Sequence, residues 1–321
     1  MSSFLFIMRK IKGLIMRVFQ KISIFLLLIY SLNSNGHKKE NVPLKKTLRF
    51  LFIGDIVGDS GLELMRHWLP KIKEKYQIDA IVVNGENAAK SGLGITADNV
   101  DFLQKQGVMA ITTGNHVWEN KDLYNSLNNP DILLRPANYS HYCPGKGCSI
   151  YEVKGIPVAI INLMGRTFFN EPLDCPFHTA HHLIKSLDNV SICLVDFHAE
   201  ASYEKSALGF FLDGKVSAVI GTHTHIQTAD EQILPQGTGF ITDVGCCSSL
   251  DSVVGFCKKD SIVKFLSHNK MGGFSVEKKG PWVFSGACIE VDVASGKTVH
   301  IERIRIIDPI LPEVYNDSFK S

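Results

Sequence analysis

Three successive units of strand, polar tip and helix begin at residue 48, and this rhythm constrains the fold more than any other feature of the chain. The predicted strands are short, continuous apolar runs, typical of strands that are buried on both faces. They cover residues 48–53, 80–83 and 109–112. Strands that alternate with helices form parallel sheets with helical crossovers. Ligands of such sheets bind outside the carboxyl ends of the strands, where the polar tips lie.

The second half of the chain predicts further strands with less helix between them. These predicted strands cover residues 148–153, 158–163, 192–197, 216–220, 239–244, 287–293 and 299–306. The last two flank Ser295-Gly296 and predict a hairpin. A helical pattern at residues 178–187 is expected to pack outside the sheet. The pattern therefore predicts one α/β domain with two sheet halves over residues 47–310, followed by a tail at residues 311–321.

The charge of the chain is divided unevenly. Residues 1–50 carry ten Lys and Arg and one Glu, a net charge of +9. Because the whole chain has a net charge of +2, residues 51–321 carry −7. Nucleic-acid binding depends on clustered Lys and Arg, so we expect no nucleic-acid polymer as a partner. The eight cysteines are scattered without a CxxC pair, which indicates reduced thiols in a reducing compartment.

Residues 1–46 form a basic extension with an apolar run at residues 22–32. Three interpretations compete: an export signal, a membrane anchor, or an extension that results from too early a start codon. The run is too short to predict a spanning helix, and a second Met at position 16 leaves the true start open. We expect a cytoplasmic protein, with export or anchoring as the alternative. Membrane contact is expected only if the apolar run is retained as an anchor.

Polar residues follow five of the predicted strands. Each has an ordinary structural interpretation by itself: an Asp after a strand often caps a helix, an Asn forms turns, and a His is often a hydrogen-bonded core residue. Five such tips at strand ends predict a shared site instead. The tip residues that can bind a metal or transfer a proton are Asp55, Glu86, Asn87, Asn115, His116, His198, His223 and His225.

The stretch Gly221-Thr222-His223-Thr224-His225 places two imidazoles two residues apart. On an extended segment the side chains at positions i and i+2 share one face, so both rings are expected to converge on one point. Neutral imidazole is the commonest metal ligand in proteins, so that point is most naturally a metal ion. The alternative is a pair of hydrogen-bonding histidines on a loop.

The ligand chemistry of the tips predicts two divalent metal ions. Carboxylate, carboxamide and imidazole groups together suit Mn, Fe or Zn better than Ca or Mg. A single ion would use only three or four of them, whereas a pair bridged by one carboxylate uses them all. Such a pair makes hydroxide available near neutral pH and clamps a phosphoryl oxygen. His116, directly after Asn115, would stand beside the metals and could protonate the leaving oxygen.

Seven short motifs resemble those of the calcineurin-type metallophosphoesterases, and more narrowly the YmdB-like bacterial branch. They are GDIVG, NGENAA, TGNHVW, RPANY, DFHAE, GTHTH and ITDVG, and the similarity spans about residues 48–308. The broader superfamily has a His where this chain has Val57 and an Asp where it has Glu86; both departures match the YmdB-like branch. The resemblance implies a four-layer α/β/β/α sandwich of two mixed sheets flanked by helices. Its metal site would lie at the carboxyl ends of the strands.

The resemblance also implies roles for the tip residues. The first metal would be bound by Asp55, Glu86, Asn87 and His225. The second would be bound by Glu86, Asn115, His198 and His223, so that Glu86 bridges the two. His116 would be the general acid. We expect Fe or Mn as the metals, with Zn as an alternative.

Other residues are weaker candidates. Arg135 and Arg166 could lie near a substrate phosphate, because Arg matches phosphate oxygens bidentately. Loop bracing or solvent exposure explains them equally well. We expect His178, His181 and His182 to be solvated, and Cys246 and Cys247 to be packing residues.

The leading functional hypothesis is a metal-dependent phosphodiesterase that uses metal-activated hydroxide and a His general acid. The YmdB-like branch is described as 2',3'-cyclic-nucleotide 2'-phosphodiesterases, so the resemblance implies a small cyclic nucleotide as the substrate. The alternatives are a phosphomonoesterase or nucleotidase that uses the same metals, and a metal-bound regulatory protein with incidental activity. The oligomeric state, including a homo-oligomer, stays open.

Overall fold

Two mixed β-sheets lie face to face at the centre of the fold, and helices cover their outer faces. The structure is a computed structural model that describes residues 46–123, 132–267 and 275–309. Its strands, in chain order, are β1 Thr47–Ile53, β2 Asp55–Ile56, β3 Ala80–Asn84, β4 Ala110–Thr112, β5 Cys148–Val153, β6 Ile156–Met164, β7 Ile192–His198, β8 Ala218–Thr222, β9 Gln232–Ile233, β10 Gly239–Ile241, β11 Cys246–Ser249, β12 Trp282–Asp292 and β13 Thr298–Asp308. Its helices are α1 Gly58–Tyr76, α2 Ala97–Lys105, α3 Pro176–Lys185, α4 Ser202–Leu212 and α5 Lys258–Ser267.

The first sheet has the strand order β2-β11-β12-β1-β3-β4, and β13 also pairs with β12. Strands β1, β3 and β4 are parallel, as the strand–helix rhythm predicts. The second sheet has the order β5-β6-β7-β8-β10-β9. Its four central strands are parallel, whereas β5 and β9 pair antiparallel at its two edges. Both sheets therefore present a row of parallel strand ends.

The side chains of β1 show how the layers are held together. Phe50 and Phe52 point into the core between the two sheets, where they pack with residues such as Ile160 of β6. Leu51 and Ile53 point the other way, into the core beneath α1 and α2. A third core lies between the second sheet and the helices α3 and α4. The alternation of side chains along a strand thus fills a core on each face, and the predicted α/β/β/α sandwich is confirmed.

Several strand boundaries differ from the predictions. Strand β8 begins and ends two residues later than residues 216–220, so it includes Thr222. The strand predicted at residues 239–244 ends at Ile241. Strands β2, β9 and β11 have two to four residues and were not predicted, because pairing rather than a long apolar run defines them. The predicted hairpin is confirmed as β12 and β13.

The ends of the chain lie largely outside the described residues. This applies to the predicted extension at residues 1–46, except Lys46, and to the tail at residues 311–321. The apolar run at residues 22–32 also lies outside them. Among the helices that the structure describes, none has both the length and the apolar character that a membrane span requires.

Candidate metal centre

Asp55 is fully buried and is the first residue of β2, directly after the end of β1. Its Oδ2 accepts a hydrogen bond from the backbone N–H of His223 at 3.2 Å. Its Oδ1 has no hydrogen-bond partner among the described residues. Asp55 is also not a helix cap, because α1 is preceded by Val57 and has no side-chain cap. A buried carboxylate oxygen without a partner is costly in a protein interior and fits a metal ligand.

Glu86 and Asn87 follow β3 at the same edge of the first sheet. Glu86 is 1% exposed, and its Oε1 lies 2.9 Å from Nε2 of His198. Its Oε2 accepts the backbone N–H of His116 at 3.2 Å. Oδ1 of Asn87 lies 3.2 Å from Nε2 of His225, while its amide donates to the carbonyl of Gly92. The Asn87 oxygen is thereby turned towards the site.

His198 is the last residue of β7 and is completely buried. Its Nδ1 lies 2.9 Å from Oγ1 of Thr222, and that hydroxyl donates to Oδ1 of Asp196 at 2.7 Å. The network assigns the ring proton to Nδ1, which leaves the lone pair of Nε2 for the site. Nε2 lies within 3.2 Å of Oδ1 of Asn115 and 3.0 Å of Nδ1 of His223. Several polar atoms therefore converge where a cation would satisfy them together.

Replacing Thr222 with Val is expected to weaken metal binding. The valine has a similar shape but cannot accept the Nδ1–H of His198 or donate to Asp196. Loss of such a supporting partner typically costs about 10–100-fold in metal affinity. The measurement is a chelator competition titration with Mn²⁺ on the full chain. Thr222→Ser keeps the hydroxyl and should bind close to wild type; equal affinity of the Val variant and wild type would show that His198 needs no orientation from Thr222.

His223 and His225 converge on the site, but not by the predicted route. Both lie beyond the end of β8, and their φ angles are 99° and 65°, in the left-handed region rather than the extended one. The extended-segment premise is therefore wrong. Between them, the N–H and hydroxyl of Thr224 both donate to Oδ2 of Asp243, at 3.0 and 2.8 Å. The same oxygen accepts Nζ of Lys205 at 2.7 Å in a buried ion pair, which fixes the turn.

Each ring is oriented by a different neighbour. Nδ1 of His225 lies 2.8 Å from the carbonyl oxygen of Val254, to which it donates, so its Nε2 faces Asn87 and lies 3.7 Å from Oδ1 of Asp55. Nε2 of His223 lies 3.0 Å from Oε2 of Glu200, so its Nδ1 faces His198. The ring of His223 also packs against Phe169. His225 thus faces Asp55 and Asn87, while His223 faces His198 and, through it, Asn115.

The predicted ligands lie close enough to hold metal ions. Glu86, His198 and His223 each offer one ligand atom, and these atoms lie within 4.8 Å of one another. Their contacts link them to the remaining predicted ligands: Asp55, Asn87, Asn115 and His225. The structure thus brings all seven predicted ligands together. Their assignment to two separate ions stays a prediction.

The charges at the site depend on one another. Burial alone would raise the pKa of Asp55, but the neighbouring His225 and the charge of His198 outweigh it and hold that pKa well below its usual value. Burial would lower the pKa of His225, but Asp55 raises it to about 9. Burial and the neighbouring His198 lower the pKa of His223 to about 3. Buried carboxylates here therefore need compensating positive charge, which divalent cations supply in the same place.

His116 lies in the loop after β4, next to Asn115. Its side chain is 26% exposed, and Nδ1 lies 3.3 Å from Oε1 of Glu119. Its backbone, not its ring, contacts Glu86, and the residue lines a cavity beside the site. Gly114, just before, is required by close packing: a Cβ there would lie 2.1 Å from Cδ2 of His198 and 2.3 Å from Oε2 of Glu86.

The two candidate arginines differ in their surroundings. Arg135 is 5% exposed, and its guanidinium donates to the backbone carbonyls of Pro136, Cys143 and Pro144. These contacts favour the loop-bracing interpretation. Arg166 is exposed in the loop after β6, and the carboxylate of Glu204 accepts its backbone N–H. Cys246 and Cys247 are buried in β11, as packing residues are.

Sequence reasoning missed the residues that hold the ligands in place. Asp196 lies in the middle of an apolar strand, is fully buried and accepts a hydrogen bond from Asn84 as well as Thr222. Burial raises its pKa to about 6. A lone carboxylate in the run ICLVDFH was the available signal, because buried charges require partners. Asp243 in the motif ITDVG carries no comparable signal, although it fixes the turn between the two histidines.

Comparisons with known proteins agree with this geometry. The sequence profile described as YmdB-like protein matches residues 51–304. A 2',3'-cyclic-nucleotide 2'-phosphodiesterase of Bacillus subtilis (strain 168) is 44% identical over 262 residues, 81% of this chain and 98% of that protein. The crystal structure of a novel phosphatase from Mycoplasma pneumoniae has 37% identity and a TM-score of 0.76, covering 82% of this chain and 95% of that one. A hypothetical protein from Thermus thermophilus has 36% identity and a TM-score of 0.75, covering 82% of this chain and 100% of that one.

Proposed function

This chain belongs to the YmdB-like protein family, and from that premise we propose that it is a metal-dependent phosphodiesterase that hydrolyses 2',3'-cyclic nucleotides. The relative from Bacillus subtilis carries that activity in its name and matches nearly its whole length. The single observation that carries the proposal is the group of buried carboxylate, amide and imidazole groups at the strand ends, centred on Glu86, His198 and His223. Such ligand sets hold the metals of phosphoester hydrolases.

We propose that two divalent metals share this site, with Glu86 as the bridging ligand. One would be bound by Asp55, Glu86, Asn87 and His225, and the other by Glu86, Asn115, His198 and His223. The mixture of oxygen and nitrogen donors favours Fe or Mn, with Zn as the alternative. When bound, a metal pair supplies an activated water and offsets the charge of the phosphoryl group.

The chain's own groups supply the rest of the chemistry. His116, partly exposed beside the ligands, donates a proton to the 2'-oxygen as its bond to phosphorus breaks, which leaves a 3'-nucleotide. The hydrogen bonds that Nδ1–H of His198 donates to Thr222 and that Thr224 donates to Asp243 keep the ligand rings in place. All eight cysteines are free thiols, which supports a reducing compartment such as the cytoplasm.

The alternative activity is hydrolysis of phosphate monoesters. The relative from Mycoplasma pneumoniae is described as a phosphatase, and its structure covers 82% of this chain. The same metals and the same proton donor serve both reactions, so the two activities differ in what lies around the site rather than at its centre. Direct comparison of a cyclic diester with a monoester separates them.

The full chain, supplied with Mn²⁺ or Fe²⁺, is expected to convert 2',3'-cyclic AMP to 3'-AMP. Removal of the metal with a chelator should abolish turnover, and added Mn²⁺ should restore it. The reason is that the buried ligands bind phosphate only through the metals that compensate their charge. Chromatographic separation of 2'-AMP and 3'-AMP identifies the bond that breaks. A folded, metal-loaded protein that hydrolyses 3'-AMP but leaves the cyclic ester intact would establish the monoesterase instead.

A further inference from the structure

A cavity of about 510 Å³ opens directly beside the candidate metal centre, and the proposed chemistry uses only one side of it. One side is formed by residues of the site itself, including Glu86, His116 and His225. Cavities of this size are typical of small-molecule sites. Whatever enters this one would therefore lie against the groups that hold the phosphate.

The other side of the cavity is apolar and partly aromatic. It is formed by Leu93, Val253, Phe256 and, on α5, Phe265. Phe256 is 8% exposed and closely packed, since a Cβ on Gly92 would lie 2.7 Å from its ring. Phe265 is 78% exposed and projects from the helix. One fixed ring and one exposed ring suit a flat heterocycle, which binds to aromatic side chains by stacking.

A buried hydroxyl at the cavity wall also lacks a partner among the residues that the structure places. Ser261 is 1% exposed and lines the cavity, and its Oγ makes no hydrogen bond within the described part of the chain. Buried polar atoms in native proteins almost always have partners, so an unpaired one at a cavity wall points to a polar ligand. The polar edge of a nucleobase offers both donors and acceptors for such a hydroxyl.

One turn connects the cavity to the metal centre. Val253, Val254 and Phe256 line the cavity, and the carbonyl of Val254 accepts Nδ1–H of His225 at 2.8 Å. The apolar wall is therefore held at a fixed position relative to a predicted metal ligand. A ligand that contacts both the apolar wall and the metal ligands would therefore be bound in a single position.

We propose that this cavity is the base subsite of a nucleotide substrate, with the base between Phe256 and Phe265 and its polar edge towards Ser261. The proposal rests on the proposed function, since the phosphate of the same nucleotide would lie at the metal ligands. It identifies Phe265 and Ser261 as residues that distinguish nucleotides from other phosphodiesters. A small ester without a base would leave the cavity to water.

The test is a binding titration of 3'-AMP, the expected product, against the full chain loaded with Mn²⁺. Phe265→Ala should weaken binding of 3'-AMP roughly tenfold, in line with the loss of base stacking. Leu266→Ala is the matched control: Leu266 is equally exposed on the same helix but does not line the cavity, and its truncation should leave the Kd unchanged. Ser261→Ala should weaken binding a few-fold. Inorganic phosphate, which has no base, should bind all four proteins with one Kd.

The outcomes separate this proposal from the proposed function. If the protein hydrolyses 2',3'-cyclic AMP, and wild type and Phe265→Ala bind 3'-AMP with the same Kd, the base subsite is overturned and the proposed function is kept. Binding that depends on Phe265, without hydrolysis of any cyclic nucleotide, keeps the subsite and overturns the function. If Phe265→Ala and Leu266→Ala both change the mass in light scattering, with equal Kd values, α5 contacts a second copy of the chain and the subsite is overturned.

Discussion

Glu86→Gln is expected to lower hydrolysis of 2',3'-cyclic AMP by about three orders of magnitude or more, and to lower metal content with it. Glu86 is buried, and both of its oxygens face the site: Oε1 lies 2.9 Å from Nε2 of His198, and Oε2 faces the loop after β4. The amide has the same shape but carries no charge and can use only one oxygen as a ligand. Metals contribute several kcal/mol to the transition state, and each ~1.4 kcal/mol is a factor of ten.

Measuring metal content shows whether Glu86→Gln loses activity because it loses metal. Elemental analysis of the purified full chain should find fewer than two metals per chain in Glu86→Gln, because the proposed bridging ligand has lost its charge. Glu152→Gln, the same change on an exposed residue of β5, is the control and should retain both metals. Circular dichroism and thermal unfolding of both variants separate a lost metal from a lost fold. A Glu86→Gln protein with two metals and full activity would remove Glu86 from the proposed site.

The parallel strands of the fold and the candidate residues at their ends could be predicted because both are local in the sequence. A strand buried on two faces is a continuous apolar run, and the first polar residues after it mark its end. Leu51 and Phe52 are both fully buried, although they point to opposite sides of β1. The continuous apolar run therefore indicates that a core lies on each side of the strand. Parallel pairing then brings the tips after β1, β3 and β4 to one edge.

The conformation of the two-histidine turn could not be predicted, because residues distant in the chain determine it. A Cβ on Gly221 would lie 1.7 Å from the carbonyl oxygen of Thr242, so the backbones approach closely at the start of the turn. The carboxylate of Asp243 then accepts a hydrogen bond from Thr224, and Lys205 of α4 forms an ion pair with Asp243. These contacts stabilise left-handed φ angles at His223 and His225 that no local pattern indicates. The convergence of the rings was predicted, but its cause was not.

Contacts across the fold also decide which polar residues support the site. Thr222 looks like part of a loop motif in the sequence, yet it is the last residue of β8 and joins His198 to Asp196 on the neighbouring strand. Register between parallel strands places them side by side, with His198 opposite Thr222. A single sequence shows the residues but not the register. Helix α5, which borders the cavity, was likewise not predicted.

His116→Ala is expected to lower kcat for 2',3'-cyclic AMP by about 10²–10⁴-fold while metal content stays at the wild-type level. The range is that of a lost general acid. Metal binding should persist because the contact between His116 and Glu86 is made by the backbone N–H, which the substitution keeps. The side chain is 26% exposed, so its removal leaves no large cavity in the core. Steady-state kinetics and elemental analysis of the same preparation test both halves of the prediction.

The leaving group provides the sharpest control on this role. Bis-p-nitrophenyl phosphate releases p-nitrophenolate, which is stable as an anion and needs no proton, whereas a nucleotide alkoxide needs one. If His116 is the proton donor, the loss in His116→Ala should be large for the cyclic nucleotide and small for the nitrophenyl ester. Equal losses for both esters would instead assign His116 to substrate binding or site geometry. The regulatory alternative makes a different prediction. If the biological role of the protein persists in His116→Ala, that role needs no leaving-group acid, and hydrolysis is incidental to it.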